Sequence, residues 1–392
     1  MIFSLRFKNF YSLADVVTLD FTADMSRKAS KDFLNENIIE FKQDKFVNIL
    51  GLFGSNAAGK SNIIKAMNFC RNLILDSHQY QEGTEFEFEP FKFSSGLPSE
   101  FYINFEYEQV EYEYSFTILK NCILSESLYY YPNGRKAKVF ERTETDIFTY
   151  GKGQVSRPSE IEVNTGPHTL FLSRGSSMNR PILRNVYRFF EENIWVGFGE
   201  FDLLKIKRED IETNKEILLK ALEVSDSDIV DIHIIERPGD KIQILTSHKE
   251  DPTIEFDFEK EESEGTKRLF FILLMLLKAI RRGTAFFLDE FDLRMHLRLA
   301  EFLLEAIRAS KTSQLVFTSH NQTLMNKDKL RREQIIIVSK GSDGKSDFTP
   351  LSDFRGLNKE TDIQKAYLLG MFDGIPYTGN LGAILTELMN KE

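Results

Sequence analysis

Apolar side chains recur along this chain with two different periods, and the changeovers mark out its elements. Near the start, Ile2, Leu5, Phe7 and Phe10 alternate with Ser4, Arg6 and Lys8, and residues 16–21 read as the hairpin partner of that strand. Residues 25–45 are polar without a clear period and predict a loop with a short helix. Residues 46–50 (Phe-Val-Asn-Ile-Leu) have the pattern of a buried strand. The following apolar positions, Ile63, Ile64, Met67, Phe69, Leu73 and Ile74, shift to helical spacing over 62–75. Strict alternation then returns. Phe101, Ile103, Phe105 and Tyr107 form one stripe, and Tyr112, Tyr114, Phe116 and Ile118 another; residues 122–131 and 136–142 continue it around a turn at Pro132-Asn133-Gly134. Such segments predict an antiparallel meander with one wet face. Its aromatic stripe reads as sheet core before it reads as a ligand platform.

Residues 151–167 are rich in Gly, Ser and Pro and predict exposed chain. Helical spacing resumes over 181–193 and about 209–222, which predicts a small helical lobe spanning 173–226. That lobe divides the chain into 1–172, 173–226 and 227–392. The last part holds the most apolar helix, 268–280, and two buried-strand runs, 284–288 and 315–319. Heptads are not sustained within 173–226, so no long coiled coil leaves the domain there, and no internal repeat stands out.

Composition narrows the class. With 392 residues, 42% hydrophobic and 35 phenylalanines, the chain can bury a large core. The two cysteines, Cys70 and Cys122, are too few for a disulfide framework or a metal cluster, and Cys70 falls on a helix face that reads as core. Arg6 and Lys8 interrupt the first apolar run, which argues against a signal peptide. The longest apolar stretch, 269–277, is about half of the ~18 residues a membrane span needs, so the expected location is the cytoplasm. A net charge of −10 disfavours wrapping a long stretch of DNA. It leaves room for a local basic groove at Arg281-Arg282 or in the Lys327, Lys329, Arg331, Arg332 cluster, although scattered surface charge is the simpler reading of both.

The chemistry concentrates at two places. Gly54-Ser55-Asn56-Ala57-Ala58-Gly59-Lys60-Ser61 matches the phosphate-loop pattern at every fixed position, with a strand before it and a helix after it. Glycines allow the backbone to curl so that consecutive N–H groups aim at phosphate oxygens, and the helix adds its positive end. In that pattern Lys60 reaches the β and γ phosphates, and Ser61 holds Mg²⁺. Gly54 to Asn62 therefore form the candidate ATP site. The second place is Asp289-Glu290, directly after the 284–288 run. This is a Walker B arrangement, with Asp289 serving Mg²⁺ and Glu290 orienting or deprotonating the attacking water.

Ser263-Glu264-Gly265-Thr266-Lys267 opens the helix ahead of Asp289. Here the chain resembles the ABC-type ATPases, including their SMC, RecF and OLD relatives, whose signature Ser-x-Gly-x-x begins the helix preceding Walker B. Ser263 and Gly265 fit that signature; simple N-capping by Ser263 is the other reading. The resemblance implies an α/β P-loop NTPase fold, an ABC-type head with a mixed β-sheet, an antiparallel β lobe and a small helical lobe. It implies a homodimer or higher homo-oligomer in which Ser263 and Gly265 of one copy close on ATP–Mg²⁺ bound by the other. Residues 292–296 resemble the D-loop without its proline, and His320 resembles the H-loop switch. No glutamine is assigned to the Q-loop. The order of elements up to about residue 377 is similar to prokaryotic AAA/ABC-type ATPases of the RloA kind, kin to AbiLi and to the ATPase subunit of PARIS. That implies an ATPase acting as the sensor or regulatory subunit of an anti-phage, abortive-infection system, with a nuclease or Toprim effector on a separate protein. The alternatives are a RecF/SMC-like DNA-repair or chromosome-maintenance ATPase that binds duplex DNA, and a nucleotide-gated scaffold. A transporter subunit is disfavoured by the divergent signature.

Overall fold

The computed structural model describes residues 1–26, 36–198, 207–224, 228–237, 241–293, 295–358 and 361–374. At its centre lies a six-stranded sheet in the order Ile194–Gly197, Ala285–Leu288, Gln314–Ser319, Ile49–Gly54, Ile335–Lys340, Ser346–Pro350. The first five strands run parallel and the last pairs antiparallel. Both faces of this sheet are covered, which is why its strands are apolar throughout rather than alternating. Leu50, Leu52, Phe287 and Val316 point into one core. Ile49, Phe53, Phe286 and Phe317 point into the other.

The first core is closed by helix Lys60–Asp76, whose buried positions Ile63, Ile64, Met67, Cys70, Leu73 and Ile74 recur at helical spacing. Cys70 is fully buried and its thiol pKa is pushed up by burial, so it is packing material. Across the helix lies a seven-stranded antiparallel sheet. Its order is Ile147–Tyr150, Ala137–Thr143, Cys122–Tyr130, Val110–Leu119, Ser99–Tyr107, Ile2–Lys8, Val17–Asp20. The hairpin and meander predicted from period-two alternation are both present, with Leu5 opposite Leu19 and Phe101 opposite Phe116. The aromatic stripe is core: Phe101 stacks on Phe116, and Phe105 on Phe189 of helix Pro181–Glu192. The second core is closed by helices Glu264–Arg282 and Leu297–Ala309.

Several expectations shift in detail. The polar stretch before the phosphate loop holds a hairpin, Ile38–Phe41 with Asp44–Val47, while residues 27–35 lie outside the described residues. The strand entering the loop is therefore Ile49–Gly54, split from the hairpin at Asn48, whose buried amide donates to the carbonyl of Ile307. In the stretch expected to be exposed, helix Pro158–Glu162 buries Ile161. Within 173–226 the chain is not all helical: strand Ile194–Gly197 joins the central sheet. The helix expected over 209–222 is two, Arg208–Glu212 and Lys215–Val224. Asn214 breaks it by turning its side-chain amide onto the carbonyl of Asp210.

Buried polar side chains join the layers. Glu126, on the antiparallel sheet, accepts from the N–H groups of Phe171 and Leu172 and from the Tyr114 hydroxyl. Burial raises its pKa against the opposing charge of Arg142. Gln314 of the central sheet accepts from Ile2 N–H at 2.6 Å and donates to Ile2 C=O at 2.8 Å, locking the two sheets together. This assembly is an α/β fold of the P-loop NTPase kind, with a mixed central sheet and an antiparallel β lobe. Replacing Gln314 by Leu leaves two buried backbone groups unpaired, an expected loss of about 2–4 kcal/mol in urea unfolding. A loss under about 0.5 kcal/mol contradicts the role given to this contact.

Candidate active site

The phosphate loop leaves the sheet between its two neighbours, and steric fit dictates its glycines. A Cβ on Gly54 would sit 2.1 Å from the Val338 carbonyl oxygen. Gly59 has φ of 105°, and a Cβ there would meet Ser346 Oγ at 2.0 Å and Ser12 Oγ at 2.5 Å. Those two hydroxyls hold the loop. Ser346 donates to the Ala58 carbonyl at 2.5 Å, Ser12 and Ser346 lie 2.6 Å apart, and Asn62 donates to Ser12 at 2.6 Å. Ala57 is also left-handed, at φ 61°. Helix Lys60–Asp76 starts with no side-chain cap and no acid in its first turn, so its positive end suits an outside anion.

Around this loop the structure gathers five of the residues singled out for chemistry. Lys60 is buried and donates to the carbonyls of Gly54 and Ser55, both at 2.8 Å, and its Nζ lies 3.3 Å from His320 Nδ1. Ser61 Oγ donates to Asp289 Oδ1 at 2.9 Å. The fifth, Glu290, follows Asp289 with its backbone left-handed at φ 48°, a conformation costing roughly 1–2 kcal/mol outside glycine. Burial pulls the Lys60 pKa down to about 8, with Asp289 and Glu290 pulling the other way. Burial, then the Lys60 charge, lower the His320 pKa. With Lys60 as the donor, His320 accepts at Nδ1 as a neutral ring.

Two more residues organise the acids, and neither was singled out from the sequence. Thr318 Oγ1 donates to Asp289 Oδ1 at 2.6 Å and accepts from Glu290 N–H at 2.8 Å. Arg268, buried on helix Glu264–Arg282, donates to the Asp289 and Glu290 carbonyls. Each is a buried polar side chain whose partners lie far along the sequence, so no local pattern marks it.

Ser263 and Gly265 stand apart, and no hydrogen bond ties either to the phosphate loop. The Ser263 hydroxyl accepts from Thr266 N–H at 3.1 Å and lies 2.7 Å from Thr266 Oγ1, so it caps its own helix. It is exposed. After Glu290, His296 caps helix Leu297–Ala309, while Arg294 between them lies outside the described residues. Of the basic candidates, the side chains of Arg281 and Arg282 are also outside them. In the second cluster Lys329 pairs with Glu301 at 3.0 Å, Arg331 with Glu333 at 2.5 Å, and Arg332 donates to the Leu357 carbonyl at 3.0 Å. That charge serves internal contacts, which favours the simpler reading.

The donor set fits a nucleotide with Mg²⁺. Among the described residues no group of three or more His, Cys, Asp or Glu forms a metal cage. One hydroxyl and one carboxylate, Ser61 and Asp289, meet at the end of an anion-seeking loop instead. Mg²⁺ is commonly held by such sparse protein ligands together with phosphate and water. Lys60 offers a test by pH. Its folded pKa lies below the ordinary 10.5, so its charge costs stability below about pH 8. That cost is relieved as the pH rises from about 8 to 10.5, where the unfolded chain binds more protons. In nucleotide-free protein, wild-type stability is expected to rise relative to Lys60→Met across that window. A flat or falling difference contradicts the burial of the charge.

A family described as "AAA domain, putative AbiEii toxin, Type IV TA system" matches residues 49–326. A search of curated proteins finds no match. Among solved structures, the chain is similar to an SMC head bound to the C-winged helix domain of ScpA. The TM-score is 0.45 and the identity 15%, covering 89% of this chain and 96% of that one. The matched span begins at the strand that enters the phosphate loop and runs past Asp289, Glu290 and His320, and on it the chain belongs to this family of AAA-domain ATPases.

Proposed function

We propose that the protein binds and hydrolyses ATP with Mg²⁺, and that this cycle drives the regulatory half of a prokaryotic defence system. The observation that carries the ATPase reading is the chain of bonds from Ser61 through Asp289 and Thr318 to Glu290. It ties a phosphate-loop hydroxyl, the Asp289 carboxylate and the main chain that carries Glu290 into a single unit.

In this reading the loop amides from Ser55 to Gly59, with Lys60, Ser61 and Asn62, cradle the phosphates. Lys60 exchanges its two carbonyl partners for phosphate oxygens, which give its buried charge an anionic partner. Ser61 and Asp289 hold Mg²⁺, which when bound neutralises charge developing on the transferred phosphoryl group. Glu290 takes the proton of the attacking water, and neutral His320 accepts or donates one hydrogen bond at the terminal phosphate. Ser263, exposed, and Gly265, half-buried at the same helix start, supply the anion site for nucleotide held by a second copy.

The family's printed description, "putative AbiEii toxin, Type IV TA system", supports a toxin–antitoxin setting, and the defence role extends the resemblance to abortive-infection ATPases. We read this chain as a sensor whose nucleotide state governs a separately encoded nuclease or Toprim-type effector. No described helix is long and apolar enough to cross a membrane.

Glu290→Gln is expected to retain ATP affinity within about threefold while lowering turnover by about 100-fold or more. It is also expected to accumulate as an ATP-dependent dimer in light scattering. Phosphate release at the wild-type rate would rule out Glu290 as the base. A monomer at saturating ATP would remove the two-copy site.

A further inference from the structure

We infer that Arg268 and Thr318 form a main-chain clamp that sets the position of Glu290, and that Arg268 couples this clamp to the exposed start of its own helix. The inference rests on the ATPase reading above and extends it to regulation of the same site.

The clamp grips one residue from two sides. The N–H of Glu290 donates to Thr318 Oγ1 at 2.8 Å. The C=O of Glu290 accepts from Arg268 Nη2, and also from Leu293 N–H at 3.0 Å. The same Arg268 nitrogen reaches the Asp289 carbonyl at 3.4 Å. Between these contacts the Glu290 backbone is left-handed, at φ 48°. A side chain on a non-glycine residue in that region persists only where the surroundings over-determine it. Here the two flanking hydrogen bonds, one of them from a guanidinium, provide that determination.

Cost and placement both mark Arg268 as more than packing. It is 5% exposed and sits in a helix whose neighbouring positions, Leu269 to Leu274, are buried apolar residues. An arginine placed there costs more than an apolar residue unless its bonds are used. It is also rigidly joined to Ser263, which accepts from Thr266 N–H, and whose carbonyl accepts from Lys267 N–H at 3.0 Å. Arg268 stands about one turn along from that cap. Any ligand or partner surface that moves the Ser263–Gly265 end as a rigid body therefore moves the guanidinium on the Glu290 carbonyl. Arg268 is a positioning residue: it acts on the water-activating carboxylate through the peptide that carries it, and never touches nucleotide.

The full chain is assayed with ATP and Mg²⁺ as Arg268→Lys and Arg268→Met, alone and combined with Glu290→Gln. A lysine keeps the charge but lacks the planar fork. Arg268→Met is expected to lower kcat by about 10–100-fold with ATP affinity unchanged within about threefold, and Arg268→Lys to recover part of that loss. In the Glu290→Gln background, Arg268→Met should add less than about twofold, because both changes disable one unit. Should Arg268→Met fail to fold, the lysine variant decides alone: wild-type kcat overturns the inference, and a kcat loss at constant affinity supports it. Equal losses in kcat and affinity, or additive effects in the double variant, also overturn it. If wild type itself releases no phosphate and Glu290→Gln changes nothing, the ATPase reading fails instead.

Discussion

Three parallel strands in fixed register underlie the rest of the structure. Leu288 pairs with Phe317, and Ser319 pairs with Phe53. Each of these positions is the last or nearly the last of its strand, so the residues that follow emerge side by side at one sheet edge. Gly54 to Ser61 lies more than two hundred residues from Asp289-Glu290 and from His320, and the strand pairing brings them to one place. Ligands in open α/β sheets bind at this carboxyl edge. A slip of one residue would move every side chain to the opposite face, and both faces are packed cores. The register is therefore held by hydrophobic burial on two sides, and the site inherits its precision from that burial.

Within this frame, charge is arranged under strain. Lys60 is buried with two carbonyl partners and a lowered pKa, and Glu290 is held in a left-handed backbone. Both conditions cost stability, and both lie where a triphosphate and its metal would fit. Left-handed residues also occur in ordinary turns of this chain; what sets Glu290 apart is that buried side chains grip its peptide from both sides. The hydroxyls of Ser12, Ser346 and Thr318 provide the counterweight, fixing the loop and the acids without adding charge.

How much of this was legible in the sequence follows from how local each signal is. The phosphate loop is contiguous, and its letters determine its shape, so Gly54 to Ser61 could be read directly. Asp289-Glu290 was readable because an apolar strand run ends in two acids. The meander was readable because period-two alternation survives wherever one face is wet. Thr318, Arg268, Ser12 and Ser346 were not singled out, since their roles exist only through partners distant in sequence. Strand Ile194–Gly197 was hidden by its shortness beside a strong helical pattern. The split at Asn214 was hidden because a side chain competing for backbone bonds does not disturb apolar spacing. Ser263 shows the reverse case: its resemblance pointed to a partner's nucleotide, while the single chain shows a helix cap.

The central claim is that Ser61 and Asp289 hold one metal ion against nucleotide wrapped by the 54–61 loop. A crystal structure of the full chain with a non-hydrolysable ATP analogue and Mn²⁺, read by anomalous scattering, tests it most directly. The account predicts a single metal peak within bonding distance of Ser61 Oγ, with the Asp289 carboxylate beside it, and terminal phosphate oxygens on Lys60 Nζ. A metal peak remote from Ser61 and Asp289, or an analogue bound outside the loop, would contradict it.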